Sequence, residues 1–413
     1  MAEDDMAHAL PWVISADDHV VEPPDLWERC LPAKFRDRGP RVEAHPWEYR
    51  VRPDGGQDHV VATEGPIADF WVCEDTVRAI PMVMACAGYG EDEFTLDPIR
   101  FSDMRKGCYD AQARLADMDE GRIERSLNFP NYPRFAGQHF MSVHDKELAL
   151  ACVQAYNDWM IEEWCADSGG RLIPLGIIPL WDAQAAGDEV RRNAARGQKA
   201  ITFSELPTNL GLPSLHDADR HWDPLLQACD DTGTVLCMHI GSGSVIPKTS
   251  PDAPQAMSNA LTSLNAYMSM ADWLLSGSLI RFPNLKIAFS ESQIGWIPFL
   301  LERLDRTFTH SAAWGNLPPE ITEAPSTQVP GRVYGTFFDD MVGVDLREKI
   351  GVGQIMFETD YPHQDTTWPN TPNLVAEIGK RCSADDLERI MRTNAIECFG
   401  LEPGDLRPEH LRG

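Results

Sequence analysis

Four short stretches end in residues that bind metals and move protons. WVIS (12–15) runs into Asp17, Asp18 and His19, within ISADDHVVEPPDLW. TVLCMHI (234–240) carries His239, and LKIAFS (285–290) passes from Ser290 directly into Glu291. QIMFET (354–359) is followed by Asp360 and, three residues on, by His363. Successive side chains of a strand point to opposite faces, so Asp17 and His19 face one way and Asp18 the other. Asp18 then points outward or orients a neighbour. Asp17, His19, His239 and Asp360 together are two imidazoles and two carboxylates. That donor set suits one divalent metal ion (Zn, Mn or Fe) with room for water. Singly, each signal is weak: a histidine after an apolar strand is more often structural, and DYPH can be a mere turn. Their weight comes from a shared position at the ends of apolar strands.

The elements that must carry them are eight apolar runs. The four above are joined by RSLNF (125–129), RLIPLGIIPL (171–180), KAITF (199–203) and VYGTFF (333–338). Short, near-continuous apolar runs are expected of parallel strands buried on both faces. Helical patterns separate most of them, as in DKELALACVQAYNDWMIEEW (145–164), WDPLLQACDDTG (222–233) and IPFLLERLDRTF (297–308). The expected fold is α/β, a (β/α)8 TIM barrel, with its chemistry at the C-terminal ends of the strands. A doubly wound sheet stays open, but no GxGxxG follows the first strand and no GxxxxGK[ST] occurs. Residues 12–402 read as one domain, and 28–108 as an insertion between strands 1 and 2. This insertion, with room for a small hairpin, would cap one end of the barrel.

Composition excludes several classes. With a formal charge of −28 over 413 residues, the chain lacks the basic surplus of a nucleic-acid-binding face. No run approaches the length of a membrane span. MAEDDMAHAL has acids where a leader peptide is basic. Ten cysteines without a CxxC pair read as reduced thiols, and the protein as cytoplasmic. No GxSxG elbow supports a serine hydrolase, and Cys237 reads as a packed thiol. The expected partner is a small-molecule substrate, with no nucleic acid and no membrane.

Further segments carry a resemblance. FPNYPRFAGQHF (129–140), HWDPLLQACDDTGTVLCMHIGSG (221–243), SESQIGWIPFLLERLD (290–305) and FETDYPHQDTTWPN (357–370) join ADDHVVEPPDLW in looking like the amidohydrolase-related (amidohydrolase 2) family. The resemblance runs from about residue 12 to 401. It implies a metal-dependent (β/α)8 enzyme, often dimeric, and hence a homodimer. It also implies either hydrolysis of an amide, lactone or related C–N or C–O bond, or non-oxidative decarboxylation of an aromatic or muconate-type acid. The family's first-strand ligand pair falls on Asp17 and His19, its fifth-strand ligand on His239 and its last-strand aspartate on Asp360. Where decarboxylases of this pattern place a histidine after the sixth strand, this chain has Glu291.

Hydrolysis is the leading expectation. In it Asp360 accepts the proton of an activated water, Glu291 assists the leaving group, and His363 is a donor to the developing oxyanion. Decarboxylation is the alternative, with Arg134 and the metal as its positive charges. A third possibility is a binding protein with a degraded centre. Ser204, Glu205 and His139 are weaker candidates at strand exits, and Trp71, Phe140 and Trp368 could line a pocket.

Overall fold

The computed structural model describes residues 10–52, 56–311 and 313–411. Residues 1–9, which carry the expectation about a leader, lie outside them. The strands in chain order are β1 (Val13–Val20), β2 (Arg41–Val51), β3 (Gln57–Val61), β4 (Ile67–Cys73), β5 (Thr76–Ala79), β6 (Ile123–Pro130) and β7 (Leu172–Ile173). They continue with β8 (Leu175–Gly176), β9 (Ala200–Phe203), β10 (Val235–His239), β11 (Ile287–Ser290), β12 (Val333–Phe337) and β13 (Ile355–Phe357). All eight expected runs are strands, and RLIPLGIIPL supplies two short ones. Proline has no N–H to give a ladder. Pro174 accordingly divides the run, so that β7 pairs with β6 and β8 with β9.

The parallel strands form one sheet in the order β1-β6-β7 and another in the order β13-β12-β11-β10-β9-β8. Helices fill the intervals, among them Lys146–Trp159, Asp223–Thr232 and Ile297–Ser311. This is an α/β fold built on parallel sheets, consistent with the TIM-barrel expectation. At the other end of the array, Asp360 N–H donates to Asp17 O (3.1 Å) and His19 N–H to Tyr361 O (2.6 Å). The first strand thus lies against the segment leaving the last. Among the described residues, no helix is long and apolar enough to cross a membrane.

The side-chain phase of β1 is set by a bulge. Ser15 pairs with Ser126 and Asp18 with Asn128, so three steps of β1 match two of β6. An extra residue in one strand re-aims the side chains beyond it. Ile14 and Ala16 pack in the inner cluster with Val235 and Ala288. Asp17 and His19, one step out of that phase, converge with the other donor side chains. Asp18 faces the neighbouring backbone. It accepts from Ser15 Oγ (3.0 Å), from Tyr361 N–H (3.0 Å) and from the hydroxyls of Ser126 and Thr359. Arg114, also buried, donates to His19 O (2.5 Å) and Gly107 O (2.8 Å), and its guanidinium lies 4.1 Å from the Tyr361 ring centre.

The interval after β1 holds more than a hairpin. β2 to β5 form an antiparallel sheet in the order β3-β2-β4-β5. The eleven-residue β2 pairs with β4 through Arg41–Pro46 and with β3 through Trp47–Val51. Much of β2, β3 and β5 is half-buried or exposed, which is why no apolar rhythm announces them. Trp71 anchors this sheet: its ring stacks on Tyr132 at 4.7 Å and meets Trp27 edge-on at 5.2 Å.

Replacing Asp18 by alanine leaves four donors without their acceptor and the buried Arg114 without its counter-charge. The free energy of unfolding in urea should fall by about 3 to 5 kcal/mol, with a smaller loss for Asp18→Asn. Unchanged unfolding in both variants would show that this clamp is dispensable.

Candidate metal centre

β1, β10, β11 and the segment after β13 deliver their terminal side chains to one buried point. Asp17, His19, His239 and Glu291 each offer a donor atom within 4.8 Å of the others, and so do His19, Glu291, Asp360 and His363. His19 Nε2 is at the centre. It lies 3.0 Å from His239 Nε2, 3.5 Å from Asp17 Oδ1, 3.4 Å from Asp360 Oδ1 and 3.5 Å from Glu291 Oε1. Glu291 Oε1 is 3.1 Å from His239 Nε2. Phe135 closes one side, 4.1 Å from the His239 ring and 5.1 Å from His19.

The hydrogen bonds fix which ring nitrogens are free. His239 Nδ1 lies 2.6 Å from Ile240 O. A carbonyl can only accept, so Nδ1 carries the proton and the Nε2 lone pair faces the cluster. Asn131 Nδ2 donates to Val20 O (3.2 Å), leaving its Oδ1 to accept from His363 Nε2 (3.1 Å). The other nitrogen of His363, Nδ1, then faces Asp360 Oδ1 at 3.4 Å.

The electrostatics call for a cation. Burial, then Glu358, Glu291 and Asp18, push the Asp17 carboxyl well above its ordinary range. Burial and then Glu291 do the same to Asp360. Burial alone would raise Glu291 too, but His239, His19 and His363 outweigh it and hold this carboxyl well below the usual range. Burial, then the neighbouring His363, depresses His19. Both Asp17 carboxylate oxygens and Asp360 Oδ1 are buried with no hydrogen-bond partner. Buried, unpartnered carboxylates converging with imidazole lone pairs are what a divalent ion would satisfy. Manganese, iron and zinc all suit oxygen and imidazole donors.

Backbone strain accompanies the site. Glu291 and Asp360 both have φ 51°, in the left-handed region. For a residue with a Cβ this costs roughly 1 to 2 kcal/mol, and such residues cluster where surroundings over-determine them. For Glu291 the surroundings include Glu358, whose Oε2 accepts from Glu291 N–H (3.1 Å) and from the Thr336 hydroxyl.

The six residues singled out by sequence, Asp17, His19, His239, Glu291, Asp360 and His363, thus lie together. Glu291, expected to assist a leaving group, sits among the donors themselves. Glu205 is buried rather than on a solvated rim. Its Oε1 accepts from Gly241 N–H (2.9 Å), Gly243 N–H (3.3 Å) and Asn265 Nδ2 (3.0 Å), fixing the loop that follows His239. Phe140 and Trp368 pack in the core, and Cys237 is a buried thiol pushed well up by burial. Glu358, Phe135 and Asn131 were missed. Glu358 was within reach, two residues before Asp360 on the same strand exit; the other two carry no signal in a loop.

Opposite the cluster is a cavity of about 220 Å³ walled by Phe135, Ile240, Ile246, Arg134 and Met84, with Glu291, Asp360 and His363 at its base.

A family model described as amidohydrolase matches residues 17–401. The γ-resorcylate decarboxylase of Rhodococcus jostii (strain RHA1) is 26% identical over 320 residues, covering 70% of this chain and 90% of that protein. Among solved structures, an amidohydrolase of Mycobacterium avium subsp. paratuberculosis K-10 superposes with a TM-score of 0.68 at 23% identity, over 94% of this chain and 99% of that one. A 5-carboxyvanillate decarboxylase of Novosphingobium aromaticivorans DSM 12444, complexed with manganese and 4-hydroxy-3-methoxy-5-nitrobenzoic acid, gives 0.62 at 17% identity over 95% and 96% of the two chains.

Protein purified without chelator is expected to carry close to one divalent ion per chain by elemental analysis, with Asp17→Asn and His239→Ala each losing most of it. Full metal content in both variants would place the ion elsewhere. A second expectation concerns Glu22, whose carboxylate accepts from Asn131 N–H (3.0 Å) and Tyr132 N–H (2.8 Å) and whose pKa burial lifts to about 7. The folded state then holds this proton more tightly than the unfolded chain. Its contribution to stability is full below about pH 4.5 and falls by on the order of 3 kcal/mol as pH rises to about 7. Glu22→Gln should flatten that part of the pH–stability curve; an identical slope would contradict the assignment.

Proposed function

We propose, from the premise that this chain belongs to the amidohydrolase family, that it is a metal-dependent non-oxidative decarboxylase of a single-ring aromatic carboxylic acid. It is a metal-dependent enzyme of that family. The observation that carries the finer reading is the cavity beside the donor cluster: Phe135, Ile240 and Ile246 offer a ring apolar contact, Asn259, Thr262, Gln364 and Asp365 add a polar lining, and one guanidinium faces the carboxyl and imidazole groups of the cluster. The decarboxylases among its relatives support it. They reverse the order expected from sequence, where hydrolysis led.

In this reading the eight parallel strands close into one barrel, residues 12–402 are a single domain, and the sheet β2–β5 is a cap over its active end. The contacts of residues 17 and 19 with 360 and 361, and the shared run of β7 and β8, support closure. Asp17, His19, His239 and Asp360 hold the ion, with Glu291 beside them. Manganese is favoured by the number of carboxylates and by the manganese-bound neighbour. When bound, the ion neutralises this carboxylate cluster and anchors oxygen substituents of the substrate.

The remaining work falls to the chain. Phe135 and the isoleucines hold the ring and exclude water. Asp360, at the base of the cavity, holds the proton. As the bond from ring to carboxylate breaks, its electron pair stays on the ring carbon, which takes that proton, and carbon dioxide leaves neutral. His363, oriented by Asn131, turns its Nδ1 lone pair to Asp360 and holds the acid in place, and water at the mouth of the cavity replaces the proton that is spent.

Hydrolysis of an amide or lactone is the second reading, and Glu291 favours it. A carboxylate where decarboxylases of this pattern carry a histidine makes the base of the cavity more negative and less hospitable to an organic anion.

Manganese-loaded protein should release carbon dioxide from hydroxylated benzoic acids. In deuterium oxide the product should carry one deuterium at the vacated carbon, and Asp360→Asn should lower the rate by at least about a hundredfold. Cleavage of amides or lactones with oxygen from water, and no carbon dioxide, would transfer the assignment to hydrolysis.

A further inference from the structure

The cap sheet brings a second cation to the mouth of the site. Arg134, in the loop after β6, borders the 220 Å³ cavity that holds Glu291, Asp360 and His363. It also borders a larger cavity of about 650 Å³ and a third of about 310 Å³, and Arg78 of β5 borders both of these with it. The 650 Å³ and 220 Å³ cavities share Met84, Arg134 and Phe135 as walls. A molecule seated on the donor cluster can therefore extend past Arg134 toward Arg78 beneath the sheet.

Neither guanidinium is spoken for. Most arginines of this chain are paired with a carboxylate or a carbonyl, as expected where Asp and Glu number 64 against 36 Lys and Arg. Among the described residues, however, no hydrogen bond, ion pair or ring contact involves the guanidinium of Arg78 or Arg134. The acids that share these cavities are not paired with either guanidinium: Asp58 accepts from Arg52 (2.9 Å), Asp75 lies 3.7 Å from His144, and Asp365, on the 220 Å³ cavity, has its pKa raised by burial with no arginine offsetting it. Arg134 is only partly exposed, and its backbone is left-handed at φ 62°. Burial, then Arg78, weakens its hold on its proton. His139, beside both in the 310 Å³ cavity, is held neutral by burial and then by Arg78 and Arg134, its pKa lowered to about 3. Two arginines pressed together without an anion are a cost unless something negative is bound between them.

We propose that Arg78 and Arg134 form an anion subsite that takes a second, non-reacting carboxylate of the substrate, so that the cap sheet selects dianionic acids. This deepens the decarboxylase reading and rests on it. The reacting carboxylate leaves as neutral carbon dioxide, and a guanidinium paired with it would stabilise the ground state more than the transition state. The same pairing with a spectator carboxylate holds the substrate throughout and positions the reacting group. The subsite adjoins the donor cluster through Arg134, which lines the cavities on both sides.

The test is equilibrium binding by calorimetry to the metal-loaded chain, with benzoate, isophthalate and monomethyl isophthalate as probes. Wild type should bind isophthalate about ten- to a hundredfold more tightly than its monomethyl ester, the range for one charge-assisted pair. In Arg78→Gln and Arg134→Gln that ratio should fall toward one, with Arg78→Lys recovering part of it. Arg303→Gln, an exposed arginine outside these cavities, should keep the wild-type ratio. Arg78 is exposed on the sheet, so its variant tests the subsite even if Arg134→Gln does not fold. Equal binding of diacid and ester in wild type, or a ratio unmoved by Arg78→Gln, overturns the subsite while leaving the decarboxylase reading in place. Failure of all three probes to bind, with metal present, counts against that reading itself.

Discussion

One buried carboxylate sets the geometry on which the site depends. Asp18 gathers hydroxyls from β1, β6 and the end of β13, together with the Tyr361 N–H. These bonds hold the first strand against the segment that leaves the last. Because Asp18 is fixed outward, Asp17 and His19 on either side of it are fixed inward, and Asp360 is carried to them by its own N–H bond to Asp17 O. Arg114 balances the buried charge and ties the same region to Gly107. The donor side chains are therefore placed by a network that engages the backbone of Asp17, His19 and Asp360 and leaves their side chains free.

Within that frame, like charges are crowded closer than water would allow. Three carboxylates meet three imidazoles at the base of a cavity where most of them are buried, and Glu358 lies against Glu291 from behind. The imidazoles keep Glu291 ionised, whereas Asp17 and Asp360 are driven toward their neutral forms by burial and by their neighbours. Left-handed backbone at Glu291 and Asp360 adds to the strain. A divalent ion would relieve the repulsion, and its binding would stabilise the fold for the same reason.

Above the donors the environment changes character. Phe135, Ile240 and Ile246 give the cavity an apolar wall, and Arg134 gives it a cationic one. Trp71, stacked on Tyr132, joins that sheet to the loop that also carries Arg134 and Phe135. One docking contact thus serves both the placement of the sheet and the walls of the site.

The sequence by itself determined the parallel strands and most of the donors. Each parallel strand is buried on both faces, so it must be written as an apolar run, and a polar residue ending such a run stands out. Asp17, His19, His239, Glu291, Asp360 and His363 were legible for that reason. What came from tertiary structure lacks any such local mark. The bulge in β1 depends on how two strands pair, not on either alone. The sheet β2–β5 is half exposed, so burial imposes no rhythm on it. Glu291 was visible, but its place within the donor cluster depends on His19, His239 and His363, each carried by a different strand exit. Arg78 is an ordinary surface cation in the sequence. Only the packing of the sheet against the loop after β6 sets it beside Arg134, because electrostatic proximity between distant segments is decided by the fold.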